Sequence, residues 1–209
     1  MDPSADAAEA AATTELVLRS SHGDAAARER LFARHRGRLL RMVELRLDPR
    51  LRQRLDPEDV VQEVYLEAAD RLAERDRTLS FLLWLRLLCA QRLAELQRRH
   101  LGAARRDVRR ERPAAGVPVV ASNFLERLTD RLTSPSEAAA RDEARSALRE
   151  ALALLSAQDQ EILALRHFEQ LNGVEAAAEL GIDRSAAAKR YTRALRRLQE
   201  LLRTWGGAP

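Results

Sequence analysis

Apolar residues recur along this chain at intervals of three and four, the spacing that places them on one face of a helix, and strict alternation is scarce. From 25 to 47, Leu31, Phe32, Leu39, Leu40, Val43 and Leu47 return at that spacing with arginines on the remaining faces, which predicts a long amphipathic core helix. Gly23 and Asp24 supply a break and a cap before it. Thr14 to Ser21 fits a shorter helix, preceded by a mobile tail over 1–13. Pro49 ends the long helix, and an arginine-rich connector leads to Asp56-Pro57-Glu58-Asp59. That run combines a cap, a proline where no N–H is needed, and acids against the positive end of the helix dipole. At about 100° per residue, Val61, Val64, Tyr65, Ala68 and Leu72 then share one side, and Asp59, Glu63, Glu67 and Asp70 the other. Gln62 and Leu66 flank the acids, so an apolar side chain is left among carboxylates on a face the core does not need.

Ser80 caps a fourth helix, FLLWLRLLCAQRLAEL, apolar around most of its circumference and leaving through Arg98, Arg99 and His100. This predicts a central helix with a basic exit, in which Trp84 fits a core position. From 102 to 133 the periodicity dissolves into RRDVRRERPAAGVPVV and a short amphipathic piece around Phe124, Leu125 and Leu128. We read a linker there. Its arginine cluster, Arg105 to Arg112, suits either a nucleic-acid-binding segment or a solubilising charge run. Ser134-Pro135-Ser136-Glu137 is a proline-assisted capping box opening a second domain, with Leu148, Leu152 and Leu155 on the buried face of its first helix. Ser156 with Asp159 caps the next helix, which carries Ile162, Leu163, Leu165 and Phe168.

The stretch from Leu171 to Leu202 predicts two helices joined by a tight turn, the layout of a helix-turn-helix. Asn172 and Glu175 form a capping box, Gly181 stops the first helix with Leu180 and Ile182 turned inward, and Asp183 caps the second. The second helix opens with small residues, Ser185 to Ala188, and continues with Lys189, Arg190, Arg193, Arg196 and Arg197. Small residues permit close approach to a groove, and cations neutralise phosphates. On these residues alone, an ordinary hairpin with a solvated basic face explains the pattern equally well.

Composition agrees with an all-α chain. Of 209 residues 33% are charged and only 4% aromatic, and Leu, Ala, Arg and Glu favour helices over strands. The formal net charge is +4, and Lys189 is the only lysine among the 36 Lys and Arg. The sole cysteine, Cys89, excludes an intramolecular disulfide and fits a core thiol. No apolar run approaches a membrane span, and the acidic, Ala-rich N-terminus is unlike a signal peptide, so a cytoplasmic protein without membrane insertion is expected.

Enzyme chemistry has little to stand on. Acids one helical turn apart can hold a hard divalent cation, as in all-α nucleotide hydrolases, but no second acidic cluster and no Gly-rich phosphate loop accompanies the Asp59 stripe. His22, His35, His100 and His167 are scattered, with no Cys or His at zinc spacing, so surface or capping roles are expected. No Ser, His and Asp set comes with a nucleophile turn. The expectation is no catalytic residue, no metal and no cofactor.

These motifs, in this order from about Leu16 to Leu202, resemble those of a bacterial sigma-70-type sigma factor of the extracytoplasmic-function subfamily. The resemblance implies two small helical domains, sigma region 2 over 14–102 and the region 4 helix-turn-helix over 134–204, joined by a flexible linker over 103–133. DPEDVVQEVYLEA resembles the region 2 helix that docks on the β′ clamp helices of core RNA polymerase, which implies Asp59, Gln62, Glu63 and Leu66 as the docking residues. SFLLWLRLLCAQRLAELQRRH resembles the helix that captures the melted -10 strand, with Trp84, Arg86, Gln91, Arg98 and Arg99 implied in contact. Arg86 stands where the family often has an aromatic, and Gln91 where it often has asparagine. LSAQDQEILALRHFEQLNGVEAAAELGIDRSAAAKRYTRALRRLQELL resembles region 4, which implies Arg184, Ser185, Ala188, Lys189, Arg190 and Arg193 against the -35 element, with Ala188 where a lysine is frequent. The implied partners are core RNA polymerase, through its β′ clamp helices and β flap, promoter DNA, and an anti-sigma factor or other regulator. An autonomous helix-turn-helix regulator is the main alternative, and a metal-dependent hydrolase a remote one.

Overall fold

The computed structural model describes the backbone of residues 3–101 and 138–206, and side chains within 8–48, 50–100 and 146–204. The Arg105 to Arg112 cluster, the piece around Phe124 and the capping box at 134–137 lie outside the described residues. The chain divides into two compact units between residues 118 and 119. Among the described residues every regular element is helical.

The first unit contains α1 (Pro3–Ser21), α2 (Ala25–Arg46), the single turn α3 (Pro49–Arg52), α4 (Pro57–Asp70), a 3-10 turn (Leu72–Glu74) and α5 (Phe81–Leu101). Its core is the predicted one: Leu31, Leu39 and Val43 of α2, Val61, Val64 and Ala68 of α4, and Leu85, Leu88, Cys89 and Leu93 of α5 are all buried together. Phe32 and Tyr65 stack at 4.6 Å, and the Tyr65 hydroxyl donates to the Phe32 carbonyl at 2.9 Å, so its one polar atom is satisfied as the ring is buried. Two starts are fixed by side chains as expected: Asp24 accepts from Ala27 N, and Asp56 from Glu58 N with Pro57 in the first turn. The connector after Pro49, read from the sequence without a helix, opens instead with the single turn α3, where Asp48 accepts from Arg50 N.

Two further expectations are corrected here. Within the segment expected to be a mobile tail, residues 3–13 form the beginning of α1, because its alanines favour helix and α2 holds it. Arg34 Nη1 donates to the Glu9 carbonyl at 3.2 Å, and Arg38 Nη1 lies 3.8 Å from the Glu9 carboxylate. His35, expected at the surface or at a cap, is buried at 3% exposure with its ring 5.4 Å from Phe81, and neither ring nitrogen has a hydrogen-bond partner among the described residues. Burial, then the charges of Arg38 and Arg34, lower its pKa from the ordinary 6.5 to about 4.

The second unit contains α6 (Ala138–Leu154), α7 (Ala157–Leu163), a π turn (Ala164–Phe168), α8 (Gly173–Glu179) and α9 (Arg184–Gly206). Leu152, Ile162, Leu163, Leu165, Phe168, Leu171, Ala176, Ala187 and Ala194 are buried. The α6–α7 corner is closed by the buried Gln160 amide, which donates to the carbonyls of Leu152 and Leu155 at 3.0 and 3.1 Å. The helix after Ser156 does not run on as α-helix. Glu169 N–H reaches back five residues to the Ala164 carbonyl, and Gln170 adopts a left-handed φ of 58° before Leu171 N–H bonds the Leu165 carbonyl.

The hairpin is built as its sequence predicts. Asn172 accepts from Val174 N and Glu175 N while the Glu175 carboxylate accepts from Asn172 N, a complete capping box. Gly181 has φ 62°, its N–H bonds the Ala178 carbonyl at 3.2 Å, and Ile182 N–H bonds the Ala177 carbonyl at 3.1 Å. These two bonds and the left-handed residue between them make a Schellman end. Asp183 Oδ1 accepts from Ala186 N at 2.8 Å and starts α9.

Candidate docking and nucleic-acid interfaces

On α4 the buried valines leave Asp59, Gln62, Glu63, Leu66 and Asp70 on one outward face, since these positions recur at three and four. Leu66 is 60% exposed, an apolar side chain among the carboxylates of that face. The acids on this face are not equivalent. Glu63 is bound by Arg92 of α5, through Nη2 at 2.6 Å and Nε at 2.7 Å, and Arg92 also reaches Glu95 at 3.1 Å. Asp59 and Gln62 have no side-chain partner among the described residues. Glu58, one position earlier, pairs across the surface with Arg36 of α2 at 2.5 Å. The expected docking set is thus brought together on one helix face, with the Glu63 charge shared internally. Arg92 was not legible as a partner, because 29 residues separate it from Glu63.

On α5 the expected set divides. Leu87, which is 47% exposed, Gln91, Ala94 and Arg98 follow one another along the outward stripe, and Arg99 and His100 are exposed in the last turn, where cations face the negative end of the helix. Trp84 and Arg86 are buried at 5% and 2% exposure. The Trp84 ring lies 5.8 Å from Phe81 as part of the core, the position its apolar surroundings favour. Both side chains are thus packed inside this unit, unlike the exposed Gln91, Arg98 and Arg99.

On α9, Ala187 and Ala194 define the buried side. Ser185, Lys189, Thr192, Arg193 and Arg196 are exposed on the opposite side, and Arg184 and Ala188 are also exposed, whereas Arg190 is half-buried on the flank. Arg197 is diverted from any phosphate: its Nη1 binds the buried Asp159 carboxylate at 2.5 Å. Arg196 reaches Glu200 at 3.7 Å. The outward cations of α9 therefore form a short track of Lys189, Arg193 and Arg196 beside small residues, a surface that can meet a phosphate backbone and bring Ser185 to a groove.

Three residues beneath that track carry contacts the sequence reading did not isolate. Tyr191 of α9 is hydrogen-bonded to His167 Nε2 at 3.0 Å, the Arg166 guanidinium lies 5.3 Å from the Tyr191 ring centre, and Arg166 Nη1 donates to the Leu171 carbonyl at 2.6 Å. The signal available was positional: Tyr191 falls four residues after Ala187 and three before Ala194, on the inner side of the helix.

Among the described residues no three His, Cys, Asp or Glu side chains gather where they could hold a metal ion, and no helix is long and apolar enough to cross a membrane.

Residues 145–198 match the family model for sigma-70, region 4. Among curated proteins, the chain is similar to the probable RNA polymerase sigma factor RfaY of Xanthomonas campestris pv. campestris, 32% identical over 137 residues, which is 66% of this chain and 32% of that protein. The chain thus aligns with about a third of the length of this relative. Among solved structures, it shares its fold with CnrH, solved in complex with the cytosolic domain of CnrY, at a TM-score of 0.54, 23% identity, and coverage of 92% of this chain and 98% of that one.

Proposed function

We propose that this chain, which carries a sigma-70 region 4 over residues 145–198, is a sigma factor of the extracytoplasmic-function type: it binds core RNA polymerase, directs it to promoters, and assists melting and initiation. The observation that carries this reading is the region 4 match falling on a fully capped helix-turn-helix whose second helix presents Lys189, Arg193 and Arg196 outward. The second support is the α4 face, where Asp59 and Gln62 have no side-chain partner among the described residues and Leu66 is exposed. A patch of charge around one apolar side chain suits a basic coiled-coil surface, and we assign it to the β′ clamp helices. The groove of about 350 Å³ lined by Leu154, Leu155, Leu201 and Thr204 is assigned to the β flap.

The division of work follows from the surfaces. Region 4 anchors on phosphates through Lys189, Arg193 and Arg196 and reads bases from the first turns of α9, with Arg184, Ser185, Ala188 and Arg190 at the margins. In the first unit the melted -10 strand meets Leu87, Gln91, Arg98 and Arg99, while Trp84 and Arg86 shape the helix from beneath. Unstacking a base costs a few kcal/mol, which stacking on protein and phosphate contacts offset. The chain makes and breaks no covalent bond: phosphodiester synthesis belongs to the polymerase, and the chain acts in the cytoplasm without metal or cofactor of its own. A protein of the anti-sigma kind is a further partner.

Gel filtration with core polymerase tests the reading. Co-elution of the full chain, lost on Asp59→Arg with Leu66→Asp, supports it. A tight, specific footprint on duplex DNA by the chain alone, with no co-elution, would indicate an autonomous regulator instead.

A further inference from the structure

Among the described residues of the second unit, one stretch of helix departs from α geometry: the π turn Ala164–Phe168, with the left-handed Gln170, a non-glycine residue, behind it. Such irregularities cost energy and persist where the surrounding structure uses them. Here Leu165 and Phe168 remain buried, so the wide turn keeps its apolar anchors and directs the two intervening side chains, Arg166 and His167, away from the core. Both meet the same residue, Tyr191 in the second turn of α9. Arg166 in addition holds the carbonyl of Leu171, the residue before the Asn172 cap of α8.

We propose that Arg166, His167 and Tyr191 are positioning residues that fix the orientation of α9 relative to the start of α8, so that its outward cations engage a duplex backbone together. The proposal rests on the reading of α9 as a DNA-binding helix. Tyr191 sits midway between Lys189 and Arg193, and two residues along a helix turn about 200°, so the tyrosine points inward where both cations point outward. Fixing Tyr191 fixes both. Three bonds of different kinds meet here: a hydroxyl–imidazole hydrogen bond, a guanidinium on a ring face, and a guanidinium–carbonyl bond. Burial and the nearby Arg166 charge hold His167 below its ordinary pKa, which favours the neutral ring at neutral pH; in its Nδ1–H tautomer, Nε2 accepts the hydrogen bond of the Tyr191 hydroxyl. None of the three side chains is on the outward face with Lys189 and Arg193, so they act through α9 and need not touch DNA.

The test uses the full chain and a generic 30-base-pair duplex at low salt, read by fluorescence anisotropy. Wild type is compared with Tyr191→Phe, His167→Ala, the double variant, His167→Gln and Lys189→Glu. The expected result is a loss of affinity of about three- to tenfold in Tyr191→Phe and in His167→Ala, no further loss in the double variant, and recovery to within about twofold in His167→Gln, which keeps an acceptor. The slope of log K against log salt should flatten by about one unit in the weakened variants, as one phosphate contact is lost, while circular dichroism is unchanged. Wild-type affinity in both single variants, or full additivity in the double, overturns the proposal. If wild type and Lys189→Glu bind equally weakly, the DNA-binding reading of α9 fails and the proposal with it.

Discussion

Arg197 Nη1 donates to Asp159 Oδ2 at 2.5 Å, joining α9 to the first turn of α7 across 38 residues of chain. The carboxylate is 4% exposed, whereas the arginine is half in solvent. Unlike Arg193 and Arg196, which face outward from the same helix, this arginine belongs to the fold. Removing it strands a buried charge; removing its neighbour Arg196, which is exposed and loosely paired to Glu200, strands nothing. Arg197→Ala should therefore destabilise the second unit by about 2 kcal/mol in urea unfolding. Arg196→Ala should change stability by less than about 0.5 kcal/mol and weaken duplex binding instead.

His35 makes the first unit acid-sensitive. The folded state keeps the ring neutral, with its pKa lowered to about 4 against 6.5 for an unhindered histidine, so its contribution is fully present above pH 6.5. Stability is lost as pH falls from 6.5 towards 4, because the unfolded chain takes up the proton first. The window corresponds to about 3 kcal/mol. Thermal melts between pH 7 and pH 4 check this, and His35→Leu should flatten the dependence across that window.

Gly181 ends α8 with φ 62°, and a Cβ built there meets no atom within 4 Å. Gly181→Ala should therefore cost only backbone strain, about 1 kcal/mol. Chemical denaturation reads this directly, and a loss several times larger would mean that the turn makes contacts beyond its conformation.

Glu63 and Asp59 should separate, although both lie on the outward face of α4. Glu63→Gln weakens the bridge to Arg92 and should lower the stability of the first unit by no more than about 1 kcal/mol, since the pair is partly solvated. Asp59→Arg, at a side chain with no internal partner among the described residues, should leave the melting curve in place and abolish co-elution with core polymerase.

Much of this architecture was legible because short-range chemistry dictated it. Asp56 with Pro57, Asn172 with Glu175, and Gly181 each fix a helix end from within four residues, and the structure has all three. The valine face of α4 followed from spacing alone. The start of α1 was missed because its alanines carry no apolar stripe, and the contacts that hold it come from Arg34 and Arg38 of another helix. His35 was legible in retrospect: it lies four residues after Leu31 and four before Leu39, on the stripe that α2 buries. The burial of Trp84 and Arg86 divides the expected -10 set in a way no local pattern states, since Trp84 lies two turns before the exposed Gln91 on nearly the same side of α5. Arg92, Arg166 and Arg197 look like any other arginine in a chain with so many, and only the tertiary fold gives each a partner.

The central claim is that this chain selects where a polymerase starts. Transcription with purified core polymerase on a promoter library, with and without the full chain, tests it most directly. The account predicts new, discrete start sites that share two sequence elements at a fixed spacing, and their loss with Lys189→Glu and Arg193→Glu. An unchanged set of transcripts in the presence of the chain would contradict it.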